Sequence, residues 1–235
     1  MRTTKEELTN AVSATLSTND LADARIRLTV TAGRLNLLRS DQEDGPEQTL
    51  LVVAAPPTAY DPAYFDRGVT VVVAAAASNP MDPFAGHKTL AYWHRLHTLR
   101  QAAALGAAEA IWLNISNHLA GGAVSNLFLV RDGVLLTPPA RGEESEGALP
   151  SPVLPGVTRA SVLEVAAESG IQVTRRMLTI DDLLEADEVF LTNSSWQILP
   201  VTCVEKKTIG DGSVGGATRR LRKRVLALIE KETAP

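Results

Sequence analysis

The sequence predicts an α/β (α+β) protein of two domains: a small one at the N-terminus, then a larger one built on a mixed sheet with flanking helices. Three observations carry this. Helix-like and strand-like patterns intermingle along all 235 residues, a length that buries a sizeable core. Ser78 to Gly86 (SNPMDPFAG) holds two prolines and a glycine that stop regular structure, which sets domains at residues 1–85 and 86–235. The first 85 residues offer one helix and three strands, few for a free-standing unit. They read as a truncated small domain with a linker, lacking a segment ahead of Met1.

The elements follow in order. Leu8, Val12 and Leu16 recur at helical spacing over residues 4–17, with Glu6 and Glu7 near the start. Ala24 to Ala32 alternates as a strand, and Leu50 to Ala54 and Val69 to Ala77 are apolar strand-like runs. The acidic stretch Ser40 to Gln48 predicts a loop. Thr89 to Ala104 predicts a helix with Leu90, Trp93, Leu96, Leu99 and Ala103 along one side, ended by Gly106. Ala110 to Leu113 is a strand. Residues 124–137 form a hairpin turning at Asp132-Gly133. Gly156 to Arg159 opens a helix that runs to Ser169, Glu188 to Thr192 is a strand before the polar turn Asn193-Ser194-Ser195, and Thr218 to Lys231 is a last helix.

Composition excludes several classes. A net charge of −4 argues against a nucleic-acid binder driven by a basic surface. The single cysteine, Cys203, excludes a disulfide framework and a Cys-rich metal site, and it fits a reducing cytoplasm; Cys203 itself reads as a small buried side chain. No signal-peptide pattern opens the chain, and its longest apolar run is far short of a membrane span. His94 and His97 lack a carboxylate at ligand spacing, so no metal is expected. GDGSVG at residues 210–215 matches a dinucleotide fingerprint in spacing alone, with too little chain after it, and reads as a loop. The basic run Arg219 to Arg224 reads as the solvated side of a helix whose Leu221, Val225, Leu228 and Ile229 enter the core.

Three short elements carry possible chemistry. Lys88 lies at a helix mouth after the linker, and a lysine in a partly buried crevice can act as a nucleophile toward an aldehyde. Leu154-Pro155-Gly156-Val157-Thr158-Arg159 places a glycine turn at a helix N-terminus, whose free N–H groups suit an anion such as phosphate. Thr192-Asn193-Ser194-Ser195 offers hydroxyls at a turn.

In series, HKTLAYW, LGAAEAIWLN, GGAVSNLF, DGVLLTPP, LPGVTRA and EVFLTNS resemble the class IV aminotransferases, pyridoxal-phosphate enzymes of fold type IV that include branched-chain and D-amino acid aminotransferases and aminodeoxychorismate lyase. The resemblance covers roughly residues 24–233. It implies a homodimer acting on an amino acid and a 2-oxo acid, with pyridoxal 5'-phosphate held between the domains. It implies that Lys88 forms the aldimine with the cofactor and shuttles the proton. Val157 and Thr158 would donate to the phosphate, with Ser194 as a further hydroxyl. Tyr92 would approach the phenolic oxygen, and Ser125 and Asn126 would shape the wall beneath the ring.

The sequence departs from the pattern at three places. Gly121 stands where the family has the glutamate that pairs with the ring nitrogen, which makes the ring an electron sink. Glu109 and Glu188 match ordinary family positions and do not replace it. Ala91 stands where an asparagine is common, and the front segment with its phosphate-gripping arginine has no counterpart. These departures leave two alternatives beside the aminotransferase: the lyase of the same fold, and a degenerate homologue that binds the cofactor and turns over little.

Overall fold

The structure is a computed structural model that describes residues 3–31 and 48–233. Its contacts divide the chain into two compact units, Met1–Ala59 and Tyr60–Pro235. The boundary expected at 85/86 lies inside the second unit, and SNPMDPFAG is a turn-rich connection within it.

In the first unit, helix α1 (Lys5–Thr18) begins with a capping box. Glu7 N–H donates to the Thr4 hydroxyl, and the Glu7 carboxylate accepts from Thr4 N–H. Strands β1 (Arg25–Val30) and β2 (Leu50–Ala55) pair antiparallel, Arg25 opposite Ala55 and Val30 opposite Leu50. Residues 40–47 of the expected acidic loop lie outside the described residues.

The second unit is a mixed nine-stranded sheet. Short helix α2 (Ala63–Asp66) precedes β3 (Val69–Ser78). Helix α3 (Trp93–Ala104) follows, then β4 (Glu109–Asn114), β5 (Leu119–Gly122), β6 (Asn126–Arg131) and β7 (Val134–Thr137). Helix α4 (Val157–Glu168), β8 (Val173–Arg175) and α5 (Ile180–Leu184) come next, then β9 (Glu188–Asn193), β10 (Gln197–Val204), β11 (Lys207–Thr208) and α6 (Gly216–Thr233). The sheet order is β5-β4-β3-β10-β9-β6-β7-β8, with β11 on β10. β3 runs parallel to both β4 and β10, and β7 runs parallel to β8; the other pairs are antiparallel.

Both faces of the sheet are covered, and strand alternation divides the core accordingly. In β6, Leu127 and Leu129 join one cluster with Leu191, Leu199 and Leu183. Phe128 and Val130 join the other, with Val162 and Val165 of α4 and Leu221 and Val225 of α6. The Phe128 and Phe190 rings stack there with centroids 5.0 Å apart. The hairpin turns as expected: Asp132 and Gly133 both take positive φ, +51° and +75°, the geometry of a two-residue turn that matches strand twist.

Two expectations are corrected. Of the apolar side expected for α3, Leu99 is partly buried and packs against the Trp112 cluster, while the rest does not face the core. Leu90 is 84% exposed and Trp93 74% exposed, Leu96 is exposed too, and the buried helix positions are Thr98 and Ala102. Periodicity reveals a stripe, not the direction it faces. Cys203 is half-buried, with its thiol donating to Glu205 O, rather than enclosed. Strand β10 went unread because Pro200 sits within it; the ladder to β3 shifts register between Val201 and Cys203, beside the residue that lacks a donor. Leu221 and Val225 of α6 are buried as expected, with Leu228 and Ile229 packed against the same cluster. Among the described residues no helix is long and apolar enough to cross a membrane, and no group of His, Cys, Asp and Glu could hold a metal.

Candidate active site

One cavity of about 950 Å³ in the second unit brings the separated motifs together. Lys88 and Tyr92 reach it from the approach to α3, Ser125 and Asn126 from the turn between β5 and β6, Val157 and Thr158 from the start of α4, and Ser194 from the turn after β9.

The α4 end is built for an anion. Gly156 is its extended N-cap, and no side chain caps it, so the first-turn N–H groups are free of a side-chain acceptor. The turn that delivers it is fixed by Asn126, whose Nδ2 donates to Leu154 O at 2.8 Å. A Cβ added at Gly156 would overlap Asn126 Oδ1, so glycine alone permits this approach. Thr192 and Trp112 line the same cavity, and their polar atoms Oγ1 and Nε1 are buried without a hydrogen-bond partner. Ser194 sits exposed on a turn held by Asn193 Oδ1, which accepts from the N–H groups of Ser195 and Trp196. Backbone donors, hydroxyls and an orphaned Thr192 together fit a phosphate monoester, which has several acceptor oxygens to offer them.

Lys88 is solvent-exposed rather than tucked in a crevice, and it has no carboxylate partner among the described residues. Its Nζ lies 5.6 Å from the centroid of the half-buried Tyr92 ring. Ser125 and Asn126 contribute shape, with Ser125 Oγ donating to Glu109 Oε2 at 2.9 Å and Asn126 Nδ2 to Leu154 O.

Glu109 and Glu188 stand apart from this cavity. Glu109 is fully buried at the start of β4. Its two oxygens accept from the N–H groups of Ala110, Ala123 and Val124 and from the Ser125 hydroxyl. Burial pushes its pKa up, and those four donors pull it back. It braces the β5–β6 turn. Glu188 caps α6 through the N–H groups of Ala217 and Thr218 and the Thr218 hydroxyl. Neither lines the cavity. Gly121 has φ +91°, and a Cβ built on it would meet Ser125 O at 2.8 Å, so the local backbone has settled around glycine.

The sequence reading missed Arg95, which lines the same cavity. Its Nη1 donates to Gly122 O at 3.1 Å, and its guanidinium packs over the Trp112 ring, 4.9 Å from the centroid. Its signal was slight: an arginine one helical turn after Tyr92, on a helix whose orientation the sequence does not give. Thr192 was legible in the sequence as part of the hydroxyl-bearing turn Thr192 to Ser195, but that its hydroxyl is buried without a partner is seen only in three dimensions.

The model of "Amino-transferase class IV" matches residues 1–204. A putative branched-chain-amino-acid aminotransferase of Methanocaldococcus jannaschii is 32% identical over 94% of this chain and 73% of its own length. Among solved structures, the branched-chain amino acid aminotransferase of Escherichia coli superposes with a TM-score of 0.81 at 29% identity, covering 100% of this chain and 75% of that one. A branched-chain amino acid aminotransferase from T.th., solved with pyridoxamine 5'-phosphate, has a TM-score of 0.81 at 28% identity over 97% of this chain and 72% of that one. Lysine, helix mouth and hydroxyl turn thus lie around one cavity in a fold these enzymes share, and the chain belongs to the class IV aminotransferase family.

Proposed function

We propose that the protein is a pyridoxal-phosphate-dependent aminotransferase that moves an amino group between an amino acid and a 2-oxo acid. The observation that carries this is the convergence, in one cavity, of Lys88 with the uncapped α4 terminus and the unpartnered Thr192 hydroxyl. When bound, the cofactor supplies an aldehyde that captures amines and a ring that draws electron density from the substrate. The chain supplies the rest. Val157 N–H, the Thr158 hydroxyl and the Ser194 hydroxyl bind the phosphate. Lys88 Nζ would hold the cofactor through its aldehyde and would move the proton at the substrate's α-carbon. Tyr92 stands beside Lys88 to hydrogen-bond the ring's phenolic oxygen. The outward apolar side of α3, with Leu90, Trp93 and Leu96, suits burial against a second copy in a homodimer.

A second reading is favoured by one observation: none of the family's glutamates is free to serve the ring, so turnover is slow or absent while binding remains. One experiment separates them. Loading with pyridoxal phosphate gives a visible absorbance band that Lys88→Ala abolishes; its persistence in Lys88→Ala would refute the assigned role. Conversion of the band by branched-chain or other amino donors, with 2-oxo acid released, supports the transferase. Loss of pyruvate from aminodeoxychorismate without donor exchange identifies the lyase. An inert band leaves the binding homologue.

A further inference from the structure

We infer, on the reading that the cavity takes pyridoxal phosphate, that Arg95 keeps the cofactor's ring nitrogen unprotonated. The charge inventory of the cavity carries this. The ionisable side chains lining it are Asp82, His87, Lys88, Tyr92, His94 and Arg95. Asp82 is the one carboxylate among them; it is exposed, and its Oδ1 accepts from Phe84 N–H at 2.9 Å within its own turn. Glu109, the nearest enclosed acid, is surrounded by four donors and faces the β5–β6 turn.

Arg95 stands on the opposite side of this account. It has no ion-pair partner among the described residues. Its guanidinium is held by Gly122 O at 3.1 Å and Ser78 Oγ at 3.4 Å, so it is fixed against the cavity wall at Gly122. Burial lowers its pKa, with Tyr92 and Glu109 acting the other way, yet a guanidinium remains cationic in a protein. A ring cation placed in this cavity would be a like charge to Arg95, and Asp82, the one carboxylate lining the cavity, is turned to Phe84 N–H; like charge disfavours protonation. Gly121 cannot take up an acid without moving Ser125 O. The electrostatics of the site are therefore reversed relative to one that holds a carboxylate at the ring.

The test reads the ring directly. The chain is loaded with pyridoxal phosphate carrying ¹⁵N in the ring, and the nitrogen shift is followed across neutral pH. The expected signal is that of a neutral pyridine, and in Arg95→Leu the ring nitrogen binds a proton about tenfold more tightly, one pKa unit. A pyridinium signal in the unmodified protein at pH 7, or an Arg95→Leu protein with an unmoved titration, overturns the inference. Should Arg95→Leu fail to fold, the unmodified protein decides alone. A cofactor analogue methylated on the ring nitrogen, permanently cationic, binds at least about tenfold more weakly than pyridoxal phosphate; equal affinity overturns the inference. Failure of any Lys88-dependent loading overturns the functional reading beneath it, and is seen before the nitrogen is measured.

Discussion

At the scale of single residues, Gly121 shows how far a missing group can be restored. Adding glutamate there looks like a repair in the sequence, but the backbone has φ +91° and Ser125 O lies 2.8 Å from the would-be Cβ. Gly121→Glu is expected to destabilise the protein by about 1–3 kcal/mol in urea unfolding, and to leave the cofactor's ring environment unimproved unless the β5–β6 turn moves. Unchanged stability would show that the turn yields easily. Lys88, Thr158 and Ser194 stand out in the sequence because their chemistry is written in short local motifs. Arg95 does not, because its meaning lies in its contact with Gly122 O.

At the scale of elements, the buried face of α6 was legible in the sequence and the orientation of α3 was not. Thr89 to Ala104 was expected to form a helix and does so from Trp93, but most of its stripe faces outward. If that stripe is a dimer surface, Trp93→Asp turns the assembly monomeric in sedimentation; a protein that sediments as a monomer without the change excludes it. Helix α5 offers a pH-dependent case. Asp182 accepts from both Arg176 Nη1 and Nη2 and closes a capping box with Thr179. The Arg176 bonds, with the Thr179 contacts, hold Asp182 well below its ordinary value, at about 2. Its folded pKa lies under its unfolded one, so its stabilising contribution is complete above about pH 5 and fades as pH falls toward 2. Arg176→Ala should lower stability at neutral pH and flatten the stability–pH curve in that window, the two proteins converging as pH falls toward 2. An unaltered acid limb would show that the pair contributes nothing.

At the scale of the whole molecule, the mixed sheet with helices on both faces was readable from alternation and spacing, whereas the strand order was not. Strand β3 joins β4 and β10 through parallel pairing, and a proline-bearing central strand hides that join from any reading of local propensity. Because the cavity is lined entirely by residues of the second unit, a ligand seated there acts on the stability of that unit. Pyridoxal phosphate at a hundred times its dissociation constant adds about 2.7 kcal/mol. Calorimetry should show this as a raised melting temperature for the unmodified chain and a smaller rise for Thr158→Ala. An equal rise in both would remove Thr158 from the phosphate's partners.

Strand β9 has a role at each end: Glu188 receives the first N–H groups of α6, and the strand runs on into Thr192 and the Ser194 turn. Arg222, from the next turn of α6, reaches back to the carbonyls of Trp196 and Ile198 just beyond that same turn. The tail of the chain is thus a backing plate for the wall on which a phosphate would rest. Clipping the protein ahead of residue 216 should abolish the visible band that loading with pyridoxal phosphate gives, even though every residue assigned to the cofactor survives the cut.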